Sequence, residues 1–127
     1  MKKSGKIKLY KKKSKVFIVA NLSRKAVVPC AEKLIALLKE HKVQIFMDTS
    51  AKDLFSESGA EFISLKDGFE AADMIFVIGG DGTILRAAKT ALAYDKPILG
   101  INAGRLGFLS DIEADDLSVI KKLFTEG

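Results

Sequence analysis

The residues best suited to chemistry lie together at Gly79-Gly80-Asp81-Gly82-Thr83, where one acid stands among three glycines. Directly before them runs Met74-Ile75-Phe76-Val77-Ile78, a continuous apolar stretch that predicts a strand covered on both faces. Directly after them Thr83 to Tyr94 reads as a helix. Glycines in such a turn let the backbone bend sharply and let a bulky anionic group come close. The helix that follows aims free N–H groups and the positive end of its dipole back at the turn. The pattern describes a phosphate site with a carboxylate inside it. A carboxylate beside phosphates is electrostatically unfavourable, so it is expected to have a task. It takes a proton, or it reaches a metal ion that neutralises the phosphates. A tight turn with Asp81 or Thr83 as a plain cap explains one glycine and one polar residue, but not three glycines around an acid.

Two common phosphate loops are excluded by spacing. The Walker loop needs a Lys-Ser/Thr pair after its last glycine, and none follows Gly82. The dinucleotide fingerprint needs a third glycine three residues after the second, and that position is Leu85.

A second informative loop is Gly100-Ile101-Asn102-Ala103-Gly104-Arg105-Leu106-Gly107-Phe108-Leu109. Asn102 offers both a donor and an acceptor. Arg105 offers a planar donor fork that suits phosphate. Phe108, between glycine and leucine, has the flat face to stack on an adenine ring, or serves as an ordinary core phenylalanine.

The elements that must carry these loops alternate. Val16–Ala20 is the first strand, and Ser23 is expected to cap the helix after it, with Pro29 in that helix's first turn. Val27, Ala31, Leu34, Ile35 and Leu38 recur at helical spacing, and His41 falls at the helix end. Val43–Met47 is the second strand, and residues 49–60 form a loop with a short helical turn at Asp53 to Ser56. Further strands are expected at Glu61–Leu65, Met74–Ile78 and Pro97–Ile101, and a last helix at Asp115–Phe124. This order predicts an α/β fold, a Rossmann-like and mostly parallel sheet with helices on both faces. Ligands of such sheets sit beyond the carboxyl ends of the strands, where both loops fall.

With 127 residues the chain has room for one domain, and its 48% hydrophobic and 29% charged residues are the balance of a folded protein. The net charge of +5 is unevenly spread: residues 1–15 carry eight lysines and no acid, and the remainder holds 13 basic against 16 acidic residues. Residues 1–15 are therefore read as a solvated basic tail or an exposed first strand, with polyanion contact as the alternative. Nucleic acid is not an expected partner, because the lysine run has only Tyr10 as an interleaved aromatic. No apolar run approaches the roughly 18 to 20 residues of a membrane helix. The first one, Val16 to Ala20, is also too short for a signal peptide, so a cytoplasmic protein is expected. The single Cys30 and single His41 exclude an internal disulfide and a Cys- or His-based metal cage, and no protein metal site is expected.

Taken together, a strand ending in GGDGT, followed about 17 residues later by GINAGRLGFL, closely resembles the NAD kinases. The first motif is shared with the diacylglycerol, sphingosine and 6-phosphofructo-kinases, and the second, at this spacing, is much more specific. The resemblance runs from Val16 onward.

It implies ATP-dependent phosphorylation of NAD at its adenosine ribose 2′-hydroxyl, with Mg²⁺ or another divalent cation accompanying ATP. Asp81 then matches the acid that takes the hydroxyl proton. Gly79, Gly80, Gly82 and Thr83 match the turn against the phosphates, and Arg86 a basic position that contacts the dinucleotide. Phe108 matches the aromatic residue near the adenine, and Asn102 and Arg105 lie in the same nucleotide-binding loop, Arg105 at a position where members vary. The family also implies a homodimer or tetramer. Its members continue into a β-rich second domain that holds much of the NAD pocket. Residues 16–127 are accordingly expected to be the α/β nucleotide-binding domain of a longer enzyme, inactive alone. A lipid kinase of the diacylglycerol type and a noncatalytic nucleotide-binding module are the alternatives.

Overall fold

Alternation along the strands separates two apolar layers. In β1 (Lys15–Ala20) and β4 (Met74–Gly79), Val16, Ile18, Met74, Phe76 and Ile78 join one buried cluster. Phe17 and Ile75 join a second, and Val77 a third beside it. Successive side chains of a strand point to opposite faces, so a strand covered on both sides must be apolar throughout. Every residue of β4 is buried. The structure, a computed structural model, describes residues 14–103 and the two-residue strand at 112–113. The terminal helix expected at 115–124 lies outside the described residues.

Between these strands run β2 (Gln44–Asp48), β3 (Glu61–Ile63), β5 (Ile98–Asn102) and β6 (Ile112–Glu113). All pairings are parallel, and the order across the sheet is β3-β2-β1-β4-β5-β6. Helix α1 (Val27–Glu40) lays Val27, Ala31, Leu34 and Leu38 on the face of Val16 and Ile18. A 3-10 turn (Thr49–Ala51) and the short α2 (Lys52–Phe55) complete that layer through Ala51 and Phe55. On the other face α3 (Leu65–Ala71) brings Phe69 against Phe17, and α4 (Asp81–Ala93) brings Ile84 and Ala87 against Val77. The α/β fold with helices on both faces follows from the expected alternation. The chain order produces a doubly wound sheet whose direction of growth reverses between β1 and β4. At such a reversal the loops leave in opposite directions and a crevice opens beyond the strands' carboxyl ends.

Several local expectations differ from the structure. Ser14 is buried and its carbonyl accepts the Gln44 N–H (2.9 Å), and Lys15 opens β1. Both are part of the described fold, within the segment read as a basic tail or exposed first strand. Ser23 does not cap α1, which starts at Val27 after Ala26 with no side-chain cap. Pro29 does fall in its first turn, and His41 at its end.

The strand expected to reach Leu65 stops at Ile63, because Ser64 turns outward to cap α3. Its Oγ accepts the Asp67 N–H at 3.1 Å. The Ser64-Leu65-Lys66-Asp67 spacing is a capping signature, but Gly68 in the helix interior disguised the element that follows. Ser64→Ala is expected to cost about 0.5–2 kcal/mol through that lost cap. Urea denaturation of the folded domain measures it, and an unchanged midpoint would remove the cap's role.

Among the described residues no helix is long and apolar enough to cross a membrane.

Candidate functional site

The β4–α4 turn sits at the crevice and is tied to both neighbouring strands. On one side the Asn21 N–H, just past β1, donates to the Ile78 carbonyl (3.0 Å). On the other the Ala103 N–H, just past β5, donates to the Gly79 carbonyl (3.2 Å). Gly80 is the N-cap of α4 and Asp81 its first residue. The first helical bond runs from the Ile84 N–H to the Gly80 carbonyl (3.0 Å), so the amides of Asp81, Gly82 and Thr83 precede the helix's own acceptors. Three outward N–H groups and the positive dipole end of a 13-residue helix make the turn favourable to an anion.

The glycines serve this turn through space and not through backbone sign. Gly80 has φ −92° and ψ −176°, and Gly59 alone among the described glycines has positive φ. A Cβ on Gly79 would stand 2.9 Å from the Thr83 Cβ. A Cβ on Gly80 would overlap the Arg24 guanidinium, and one on Gly82 would meet an Arg86 terminal nitrogen at 3.5 Å. Gly100, one strand over, lets Ile84 pack flat: an added Cβ there would lie 2.8 Å from the Ile84 Cγ2.

Asp81 is half-buried, and its Oδ1 accepts a hydrogen bond from the Asn102 Nδ2 at 3.0 Å. Asn102 ends β5 with only 1% of its surface exposed. This pair joins the two informative loops of the sequence, and the strand pairing of Gly79 with Asn102 brings them together. The carboxylate is thereby held through its Oδ1. Thr83 is half-buried on the first turn and Arg86 is exposed on the second. Arg105 and Phe108 lie outside the described residues. Among the described residues no cluster of three His, Cys, Asp or Glu side chains is grouped to hold a metal ion.

Two residues that sequence reasoning missed line the β1 side. The Asn21 Nδ2 donates to the Thr83 Oγ1 (3.3 Å), while its Oδ1 accepts from the Ser23 Oγ (2.7 Å) and the Ser23 N–H (3.3 Å). Ser23, expected as a helix cap, instead fixes this loop. The Arg24 N–H returns to the Asn21 carbonyl (3.2 Å), and the turn so closed places the Arg24 guanidinium over Gly80. The available signal was position: both residues follow the first strand at the sheet edge where ligands bind. A groove of about 340 Å³ opens beside the turn, with Val19 and Phe69 among its apolar lining and Asn21, Thr83 and Arg86 among its polar lining.

The chain is similar to known proteins in both sequence and fold. The family model for the ATP-NAD kinase N-terminal domain matches residues 16–127. An NAD kinase from Natranaerobius thermophilus is 36% identical over 111 residues, covering 87% of this chain and 38% of that protein. One from Azotobacter vinelandii is 37% identical over 100 residues, covering 79% of this chain and 34% of that protein. The chain thus spans little more than a third of the relatives it matches. Among solved structures, yeast NADH kinase complexed with NADH superposes with a TM-score of 0.70 at 19% identity, over 88% of this chain and 36% of that one. At that identity the likeness speaks for the fold.

Proposed function

The chain belongs to the ATP-NAD kinase N-terminal domain family, and from that premise we propose that the protein containing it phosphorylates NAD at the adenosine ribose 2′-hydroxyl, using ATP and yielding NADP. The observation that carries this reading is the Asp81 carboxylate, held through one oxygen by Asn102 at the mouth of an anion-favouring turn. Phosphoryl transfer asks a protein chiefly for positioning and charge stabilisation, with a residue to receive the attacking hydroxyl's proton. The amides of Asp81, Gly82 and Thr83 orient the donor's phosphates. Asp81 accepts the proton from the 2′-hydroxyl, the freed oxygen forms its bond to the γ-phosphorus, and the bond to the ADP oxygen breaks.

A divalent cation such as Mg²⁺ suits the site as a companion of the donor. One carboxylate with phosphate oxygens is an ordinary ligand set for it, and Asp81 and Thr83 are the side-chain oxygens at the turn. When bound it offsets phosphate charge. Arg86, exposed beside Gly82, supplies further positive charge for the dinucleotide. Asn102 contributes through Asp81, while Arg105 and Phe108 are assigned to the nucleotide by resemblance alone. Residues 16–127 form the α/β domain of the enzyme in this reading, with a β-rich domain completing the NAD pocket. Family likeness also supports a cytoplasmic homodimer or tetramer.

The test is direct. The complete reading frame that contains residues 1–127 is purified and given Mg-ATP with NAD or with diacylglycerol, and the phosphorylated product is identified. NADP is expected. Phosphorylation of the lipid alone would establish the lipid-kinase alternative. Saturable ATP binding with neither product would establish a noncatalytic module.

A further inference from the structure

We propose that Arg24 is a substrate-binding residue that grips the phosphate chain of the nucleoside triphosphate donor from the β1 side of the turn. The inference rests on the kinase reading and adds to it a residue from a different loop. Three observations carry it.

First, Arg24 is built into place. Asn21 fixes the loop to Thr83 through its Nδ2 and to Ser23 through its Oδ1, and the Arg24 N–H closes the turn on the Asn21 carbonyl. Second, the guanidinium lies directly over Gly80, its terminal nitrogen in the space a Cβ there would enter. Third, Arg24 is half-buried and its guanidinium has no carboxylate partner among the described residues. A partly buried cation beside the positive end of a helix is electrostatically unfavourable until an anion joins it. A planar fork of donors matches a phosphate oxygen pair.

The turn assigns the phosphate to the donor. β4 lies between β1 and β5, so Arg24 and Asn21 flank the Gly80–Asp81 turn on one side and Asn102 flanks it on the other. In the proposed function the amides of Asp81, Gly82 and Thr83 orient the donor's phosphates, and the Arg24 guanidinium lies over Gly80, directly before those amides. The phosphates that the amides hold are therefore the ones within its reach.

The experiment uses the complete reading frame, with KM for ATP and for NAD measured separately in wild type, Arg24→Gln and Arg24→Lys, and melting followed for each. For Arg24→Gln the ATP KM is expected to rise roughly tenfold or more, the loss of a charge-assisted phosphate contact. The NAD KM is expected to stay within about twofold, since the acceptor is bound elsewhere. Arg24→Lys is expected to recover part of the ATP affinity, because it restores charge without the fork. The assignment is overturned if the ATP KM stays within about twofold, or rises no more than the NAD KM. A wild-type protein that forms no NADP overturns the kinase reading itself, a separate result from a working enzyme that is indifferent to Arg24.

Discussion

Asp81→Asn is expected to lower turnover of NAD by about 10²–10⁴-fold in the complete enzyme, the usual contribution of general-base assistance. The substitution is nearly isosteric. Its amide oxygen can still accept the Asn102 Nδ2 donor that now reaches the Asp81 Oδ1 at 3.0 Å, so the turn keeps its shape. What disappears is the oxygen that takes the proton. The ATP KM should change far less than kcat, because the phosphates are held by backbone amides that the substitution leaves in place. Steady-state kinetics with NADP detection reads both quantities, and a melting curve checks the fold. Near-normal turnover in Asp81→Asn would remove the base assignment and leave the acid as a positioning or metal-facing group.

Phe17→Ala is expected to destabilise the domain by about 3–5 kcal/mol, the range for deleting a buried aromatic side chain. Phe17 is fully buried at the centre of β1. Its ring meets Phe69 edge-on with centroids 5.6 Å apart, and Phe69 stacks in turn on Tyr94 at 5.8 Å. The same ring occupies the space above Gly68, where an added Cβ would overlap it. Gly68→Ala is therefore expected to destabilise by about 1–3 kcal/mol through overpacking. This outweighs the gain of up to about 1 kcal/mol that alanine brings to a helix interior. The sign should reverse in the Phe17→Ala background, where the new methyl enters the vacated space. A double-mutant cycle in urea measures this coupling. Additive effects of the two substitutions would show that the Gly68 backbone, and not the Phe17 ring, sets the cost.

Gly68 also shows why one helix escaped the sequence reading. Glycine inside a helix opposes the local propensity, and the compensation, a ring from a strand some fifty residues earlier, is invisible to any short window. The capping pair Ser64 and Asp67 was the only local trace. Ser23 failed in the opposite sense. It has the right type for a cap, yet its hydroxyl is engaged by Asn21, and α1 begins later without one. The glycines of the turn have no positive φ, and the clearance Gly79 gives Thr83 is a contact that glycine's conformational freedom does not foretell.

What the chain's residues determine locally is the alternation of buried strands and amphipathic helices, and the acid seated at a strand-to-helix turn. These depend on side-chain periodicity and on backbone groups within a few positions, and a linear string contains both. Which loops face that turn was decided only by the tertiary structure. Asn102 reaches Asp81 across 21 positions, and Asn21 reaches Thr83 across 62. Both contacts exist because β4 is inserted between β1 and β5. Strand order minimises exposed apolar surface over the whole sheet at once, so no segment carries it alone. The partners of the acid, and the arginine above the glycine, appear only once that global packing is in place.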